Sequence, residues 1–167
     1  MAAFFRLPRS KFIPASLAAI PGIFVALAIF AAAQPASKPT DDLPPNSPQV
    51  IQPAELAQAM KSAQKPVILY VGPKSLYAQA HIAGAEYIGP VAKADTMEKL
   101  RARAASLSKS EAVVIYCGCC PWAACPNIRP AYAELKKEGF TRVRVLYLAT
   151  SFGADWKDKG LPVASGE

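Results

Sequence analysis

Two kinds of hydrophobic pattern alternate along the chain after residue 50. Short β-branched or aliphatic runs at 67–71, 86–88, 112–116 and 143–148 read as strands. The run Ala112-Val113-Val114-Ile115-Tyr116 is apolar throughout, as in a strand covered on both faces. Between these runs, 53–63, 75–80, 95–106 and 128–138 read as helices. In the last, Ile128, Ala131, Tyr132 and Leu135 recur at helical spacing, with Asn127 at the N-cap position. Strands that alternate with helices predict an α/β fold: one small parallel sheet flanked by helices on both faces. No internal repeat is visible.

The first 33 residues follow a different pattern. Arg6, Arg9 and Lys11 precede an apolar stretch from about Phe12 to Ala33, which ends in Ala31-Ala32-Ala33-Gln34. This is the layout of an export signal, and it predicts cleavage near Ala33. The stretch is also long enough to span a bilayer, so an uncleaved N-terminal membrane anchor is the alternative. Either way the rest of the chain is expected to be exported, to the periplasm if the source is bacterial. Residues 34–49 are rich in proline and polar residues and read as a linker, which places the folded domain at 50–167. The roughly 115 residues left are enough for one modest core.

Charge narrows the function classes. The 167 residues carry a formal net charge of +7, which falls to +4 once the three basic residues of 1–33 are removed. The remaining Lys and Arg are interspersed with Asp and Glu, and no dense basic run with interleaved aromatics suggests nucleic acid. A modest positive field favours small anionic substrates. No glycine-rich phosphate loop, Ser-His-Asp arrangement or paired-carboxylate motif stands out.

The chemistry is concentrated in nine residues. All four cysteines, Cys117, Cys119, Cys120 and Cys125, lie between the strand at 112–116 and the helix at 128–138. In open α/β sheets ligands collect beyond the carboxyl ends of strands. Backbone amides at a helix start hold anions, and the helix dipole lowers the pKa of a nearby thiol. Gly118 lets the backbone turn closely around the first sulfur.

Several segments in this order resemble the rhodanese family. His81-Ile82-Ala83-Gly84-Ala85 is similar to that family's His-Ile-Pro-Gly-Ala segment. Val113-Val114-Ile115-Tyr116-Cys117 resembles the strand that delivers its active-site cysteine. Gly139-Phe140 with 143–148, then Trp156 and Gly160-Leu161-Pro162-Val163, resemble its closing pattern. The resemblance covers about residues 50–163. It implies a rhodanese-like fold in which Cys117 attacks a sulfur donor, holds the sulfur as a persulfide and passes it to a thiophilic acceptor. The implied partners are a small anionic donor such as thiosulfate and a thiol or protein acceptor.

This chain departs from the family pattern at three places, the mildest being Ala80 and Ala83 where the family's His-Ile pair is flanked by Gly and Pro. The Asp-x-Arg frequent after the first core strand is replaced by Tyr70-Val71-Gly72. The loop after Cys117 is also longer than usual: Gly118 to Asn127 supplies ten residues, including Pro121 and Pro126, which carry no amide hydrogen. The loop has no arginine, and Arg129 is the nearest basic replacement.

Three readings of the cysteines stand open. In one, Cys117 carries sulfur or enters thiol-disulfide exchange, with Cys119, Cys120 or Cys125 as resolving thiol. In a second, Cys117, Cys119, Cys120 and Cys125 bind zinc, copper or an iron-sulfur cluster in a non-catalytic module. In the third, disulfides staple the loop, with Cys125 the expected partner of Cys119 or Cys120, because adjacent cysteines pair with strain. Trp122 either shapes an apolar pocket or packs the loop down. His81, the only histidine, organises a turn in the resembling segment. Tyr70, Tyr116 and Trp156 read as packing residues.

Overall fold

The computed structural model describes residues 43–166. In chain order its elements are β1 (Val50–Ile51), α1 (Pro53–Ala59), β2 (Val67–Tyr70), α2 (Lys74–Gln79), β3 (His81–Ile82), β4 (Glu86–Tyr87) and α3 (Ala94–Ala105). They continue with β5 (Ala112–Tyr116), α4 (Ile128–Lys137), β6 (Arg142–Leu146), α5 (Phe152–Asp155) and β7 (Val163–Ala164). Five strands form a parallel sheet in the order β1-β6-β5-β2-β4, and β3 and β7 form a separate antiparallel pair.

β5 is the middle strand, with Val113 opposite both Val67 of β2 and Val143 of β6. Its side chains alternate between two apolar layers. Val113 and Ile115 join Leu100 and Ala104 of α3 and Ile128, Ala131 and Leu135 of α4. Val114 and Tyr116 join Leu56 and Ala57 of α1, Tyr77 of α2 and Trp156. A strand covered on both sides needs apolar residues at every position, which is why 112–116 shows no polar alternation. Each large aliphatic side chain buried this way contributes about 1.5–3 kcal/mol.

The expected α/β sandwich with helices on both faces is present; the short elements β1, β3, α5 and β7 are additions to the expected set, and the other differences lie at the ends of elements. The helix expected over 53–63 stops at Ala59, where Lys61 and Ser62 turn back to bond the carbonyls of Gln58 and Ala59. The packed body also begins before Val50. Leu43 is 2% exposed within the α3/α4 layer, so the C-terminal part of the expected linker 34–49 belongs to the domain. Residues 1–33, read as a signal or anchor, lie outside the described residues. Among the described residues no helix is long and apolar enough to cross a membrane.

Candidate functional site

Cys117 follows β5 directly and keeps the alternation of that strand, so its side chain enters the α3/α4 layer. Pairing continues one step past the strand end, where the Val71 amide donates to the Tyr116 carbonyl at 2.8 Å. The chain then turns sharply at Gly118, whose φ is +75°. A Cβ there would stand 2.7 Å from Cβ of Phe152, so a side chain is excluded by contact as well as by conformation. The long loop is held down at its middle. The Trp122 amide donates to the Ala149 carbonyl at 3.2 Å, and its buried ring meets Tyr147 edge-on at 5.1 Å. Trp122 therefore packs the loop and lines no cleft at the cysteines.

The fold gathers three of the four sulfurs. Those of Cys117, Cys119 and Cys125 all lie within 4.8 Å of one another. Cys117 Sγ is 3.0 Å from Cys119 Sγ, which is 3.3 Å from Cys120 Sγ. All four are free thiols, so the expected stapling of Cys125 to Cys119 or Cys120 is not present. Cys117 and Cys125 are buried, whereas Cys119 and Cys120 are partly exposed.

Negative charge settles on Cys125 and not on Cys117. A hydrogen bond from Cys117 and the backbone amides of Asn127 and Ile128 at the start of α4 lower the Cys125 thiol to about 6. Its thiolate neighbour and burial hold Cys117 well above the ordinary thiol range, so Cys117 keeps its proton and donates it to Cys125. Burial and contact with Cys119 push Cys120 up to about 12. The helix start thus stabilises a thiolate, as the sequence suggests, but the one it holds is Cys125. Asn127 does not cap α4 with its side chain. Instead its Nδ2 points a proton at Cys117 Sγ, 3.7 Å away, while Oδ1 accepts from the Ala92 amide at 3.2 Å.

A cleft of about 350 Å³ reaches these sulfurs. Cys117, Gly118 and Cys119 form one wall, with Tyr70, Phe152 and Lys157 among the residues around them. Lys157 supplies the positive charge that the sequence reading sought in Arg129, and Arg129 does not line this cleft. Nothing local in the sequence marks Lys157, because it comes from the turn after α5, far from the cysteine loop.

His81 is confirmed in a structural part. Its Nδ1 is 2.8 Å from the Tyr77 carbonyl and must donate, since a carbonyl only accepts. Its ring stacks on Tyr77 at 3.8 Å. Tyr116 accepts a hydrogen bond from the Ile82 amide at 2.9 Å. Tyr70 differs: its hydroxyl is buried without a partner. Burial first, then the Cys117 thiol, raises its pKa far above the ordinary phenol value, so the hydroxyl stays a proton donor.

A parallel five-stranded α/β sheet here delivers a cysteine from the end of its middle strand into the loop before a helix. The model of the rhodanese-like domain matches residues 52–151, and the chain belongs to that family. Its structure is similar to that of the Alr3790 protein from Anabaena sp., with 23% identity and a TM-score of 0.54 over 70% of this chain and 92% of that one. It is similar at 23% identity and a TM-score of 0.52 to the BH2092 protein from Bacillus halodurans, over 70% of this chain and 76% of the other. A thiosulfate sulfurtransferase from Pseudomonas aeruginosa shares 24% identity at a TM-score of 0.52, over 71% of this chain and 20% of its own. These likenesses establish the fold. A comparison with curated proteins finds no match.

Proposed function

We propose that the domain is an exported sulfurtransferase that loads sulfur onto Cys117 and passes it to a thiol acceptor. The observation that carries this reading is the grouping of the Cys117, Cys119 and Cys125 sulfurs, two of whose residues, Cys117 and Cys119, line a cleft together with Lys157. Cys125 is the base of the site, already ionised near neutral pH and hydrogen-bonded to the Cys117 thiol. With that proton removed, Cys117 attacks the outer sulfur of a small anionic donor such as thiosulfate. Lys157 and the Asn127 amide group offset the charge of the incoming anion and of the persulfide.

The sulfur then has a route outward. Cys119, in contact with Cys117 and more exposed, attacks the outer sulfur of the Cys117 persulfide; a new persulfide forms on Cys119 and the Cys117 thiolate is released. No oxidant is required, because each step exchanges one sulfur–sulfur bond for another. Cys120, next in the chain of contacts, extends the route toward a thiol or protein acceptor. Export rests on the basic flank and apolar stretch of 1–33, whether that segment is removed or kept as an anchor.

Intact mass measurement of the protein before and after thiosulfate, with peptide mapping, tests the assignment. One added sulfur on Cys117 is expected in the wild type and none in Cys117→Ser. Unchanged loading in that variant ends the assignment.

The same grouping favours one other reading, a soft monovalent metal held by three thiolates. Three sulfurs within 4.8 Å suit copper(I). Structural zinc and iron-sulfur clusters take four protein ligands, whereas the group within 4.8 Å here has three, with Cys120 adjoining it 3.3 Å from Cys119. Metal analysis of anaerobically purified protein separates the two: stoichiometric copper lost on replacing Cys117, Cys119 or Cys125 would favour the metal.

A further inference from the structure

Four tyrosines pack around one another at this end of the sheet. The Tyr70 ring lies 5.4 Å from that of Tyr77, 5.0 Å from Tyr116 and 6.3 Å from Tyr87. Tyr77 donates to the Ala85 carbonyl at 2.6 Å, and Tyr116 accepts from the Ile82 amide. Tyr70 is 2% exposed, between Tyr116 at 0% and Tyr77 at 7%, yet its hydroxyl has no hydrogen-bond partner. An apolar ring would fill the same space without that desolvation cost, so the hydroxyl is retained for something that arrives.

Gly72 shows how near the hydroxyl stands to the thiol. A Cβ at this position would lie 2.6 Å from the Tyr70 hydroxyl oxygen and 3.0 Å from Cys117 Sγ, so even a methyl group would collide there and both groups close on the Gly72 backbone. Both residues line the cleft. A second sulfur bonded to Sγ at about 2.05 Å would extend into this cleft, on the side where the Tyr70 hydroxyl is the unpartnered donor.

We propose that the Tyr70 hydroxyl is the hydrogen-bond donor to the outer sulfur of a Cys117 persulfide, and that the lack of a side chain at Gly72 lets hydroxyl and thiol come this close. The assignment rests on the sulfur-loading reading of Cys117. In the loading step the Cys117 proton passes to the Cys125 thiolate, and Cys117 Sγ bonds to the outer sulfur of thiosulfate. The sulfur–sulfur bond of thiosulfate breaks, and its electron pair leaves on sulfite. The persulfide then carries one negative charge on its outer sulfur, in a buried place where a preorganised donor counts for more than in water. Tyr70-Val71-Gly72 thus supplies a donor and a close backbone approach where the resembling family often carries Asp-x-Arg.

The test compares the wild-type protein with Tyr70→Phe, using thiosulfate as donor. Sulfur on Cys117 is followed by mass, and the loaded persulfide is alkylated across a range of pH. The variant is expected to melt at the wild-type temperature, load at least about tenfold more slowly, and show its persulfide ionising at higher pH. Equal loading rates and an equal alkylation profile would overturn the Tyr70 assignment while leaving the sulfur-loading reading standing. A wild type that takes up no sulfur would overturn both. If phenylalanine does not preserve the fold, 3-fluorotyrosine at position 70 keeps the shape and makes the hydroxyl more acidic. An alkylation profile unchanged from wild type would then overturn the assignment.

Discussion

The Tyr77–His81–Tyr116 group and the Tyr70–Cys117–Cys119 group meet at the end of β5, and they handle their polar atoms in opposite ways. In the first, the Tyr77 hydroxyl, His81 Nδ1 and the Tyr116 hydroxyl each have a backbone partner between 2.6 and 2.9 Å. In the second, a buried hydroxyl has no partner, two sulfurs stand 3.0 Å apart without a bond, and a thiolate leans on backbone amides. Paired groups fix the joint between the β3/β7 ribbon and the main sheet. The unpartnered Tyr70 hydroxyl and the thiols, bonded only to one another, to Asn127 and to backbone amides, stay available for exchange, and burial of both kinds within one domain shows that burial alone does not separate packing from chemistry.

Substitution should divide the two groups by what it changes. Cys117→Ser has the largest expected effect: sulfur loading, read by mass, is lost entirely while the melting temperature stays near that of the wild type. Cys125→Ser removes the base, and loading at pH 7 should fall about a hundredfold. The wild type should show a thiolate absorbance step with a midpoint at about 6, and the same variant should lose it. Tyr116→Phe belongs to the other group. It leaves the Ile82 amide unsatisfied in the core and should cost about 1–3 kcal/mol in denaturant unfolding, with the loading rate unchanged. The smallest effect on stability is expected from Tyr70→Phe, within about 0.5 kcal/mol, because no hydrogen bond is lost. A large destabilisation there would erase the contrast.

The two coupled thiols also make stability depend on pH in opposite senses. Cys125 is lowered by folding, so its contribution is present above the ordinary thiol pKa and is lost as pH falls through about 6. Cys117 is raised by folding, and its contribution is present below the ordinary thiol pKa and lost above it. Together they place the stability maximum of this pair near the ordinary thiol value, about 8.5. Thermal melts of the wild type from pH 6 to pH 8.5 should rise more steeply than those of Cys125→Ser.

Much of the scaffold was legible in the residues. The strand at 112–116 is found with the expected ends, and the helix expected over 128–138 differs by one residue, because a buried strand and an amphipathic stripe both leave strong local patterns. β1, β3 and β7 have two residues each, too few to show a period, and their pairing partners are distant in sequence. The site was legible as a cluster of thiols but not as a division of labour. Which sulfur holds the charge depends on how the loop delivers Cys125 to the amides of Asn127 and Ile128. Tyr70 reads as a packing residue in the sequence, and only the satisfied hydroxyls of its neighbours expose it as different.

The two-residue repeat of β5 works as a parity check on the chemistry. Tyr116 and Cys117 are adjacent, yet one belongs to the α1/α2 layer and the other to the α3/α4 layer. Deleting one residue from Ala112–Tyr116 would send the thiol to the opposite side of the sheet, away from Cys125 and Asn127, while an apolar residue took its place. An odd change in the length of this strand would exchange the reactive and the inert sides of the domain, whereas an even one would shorten the sheet and keep them apart.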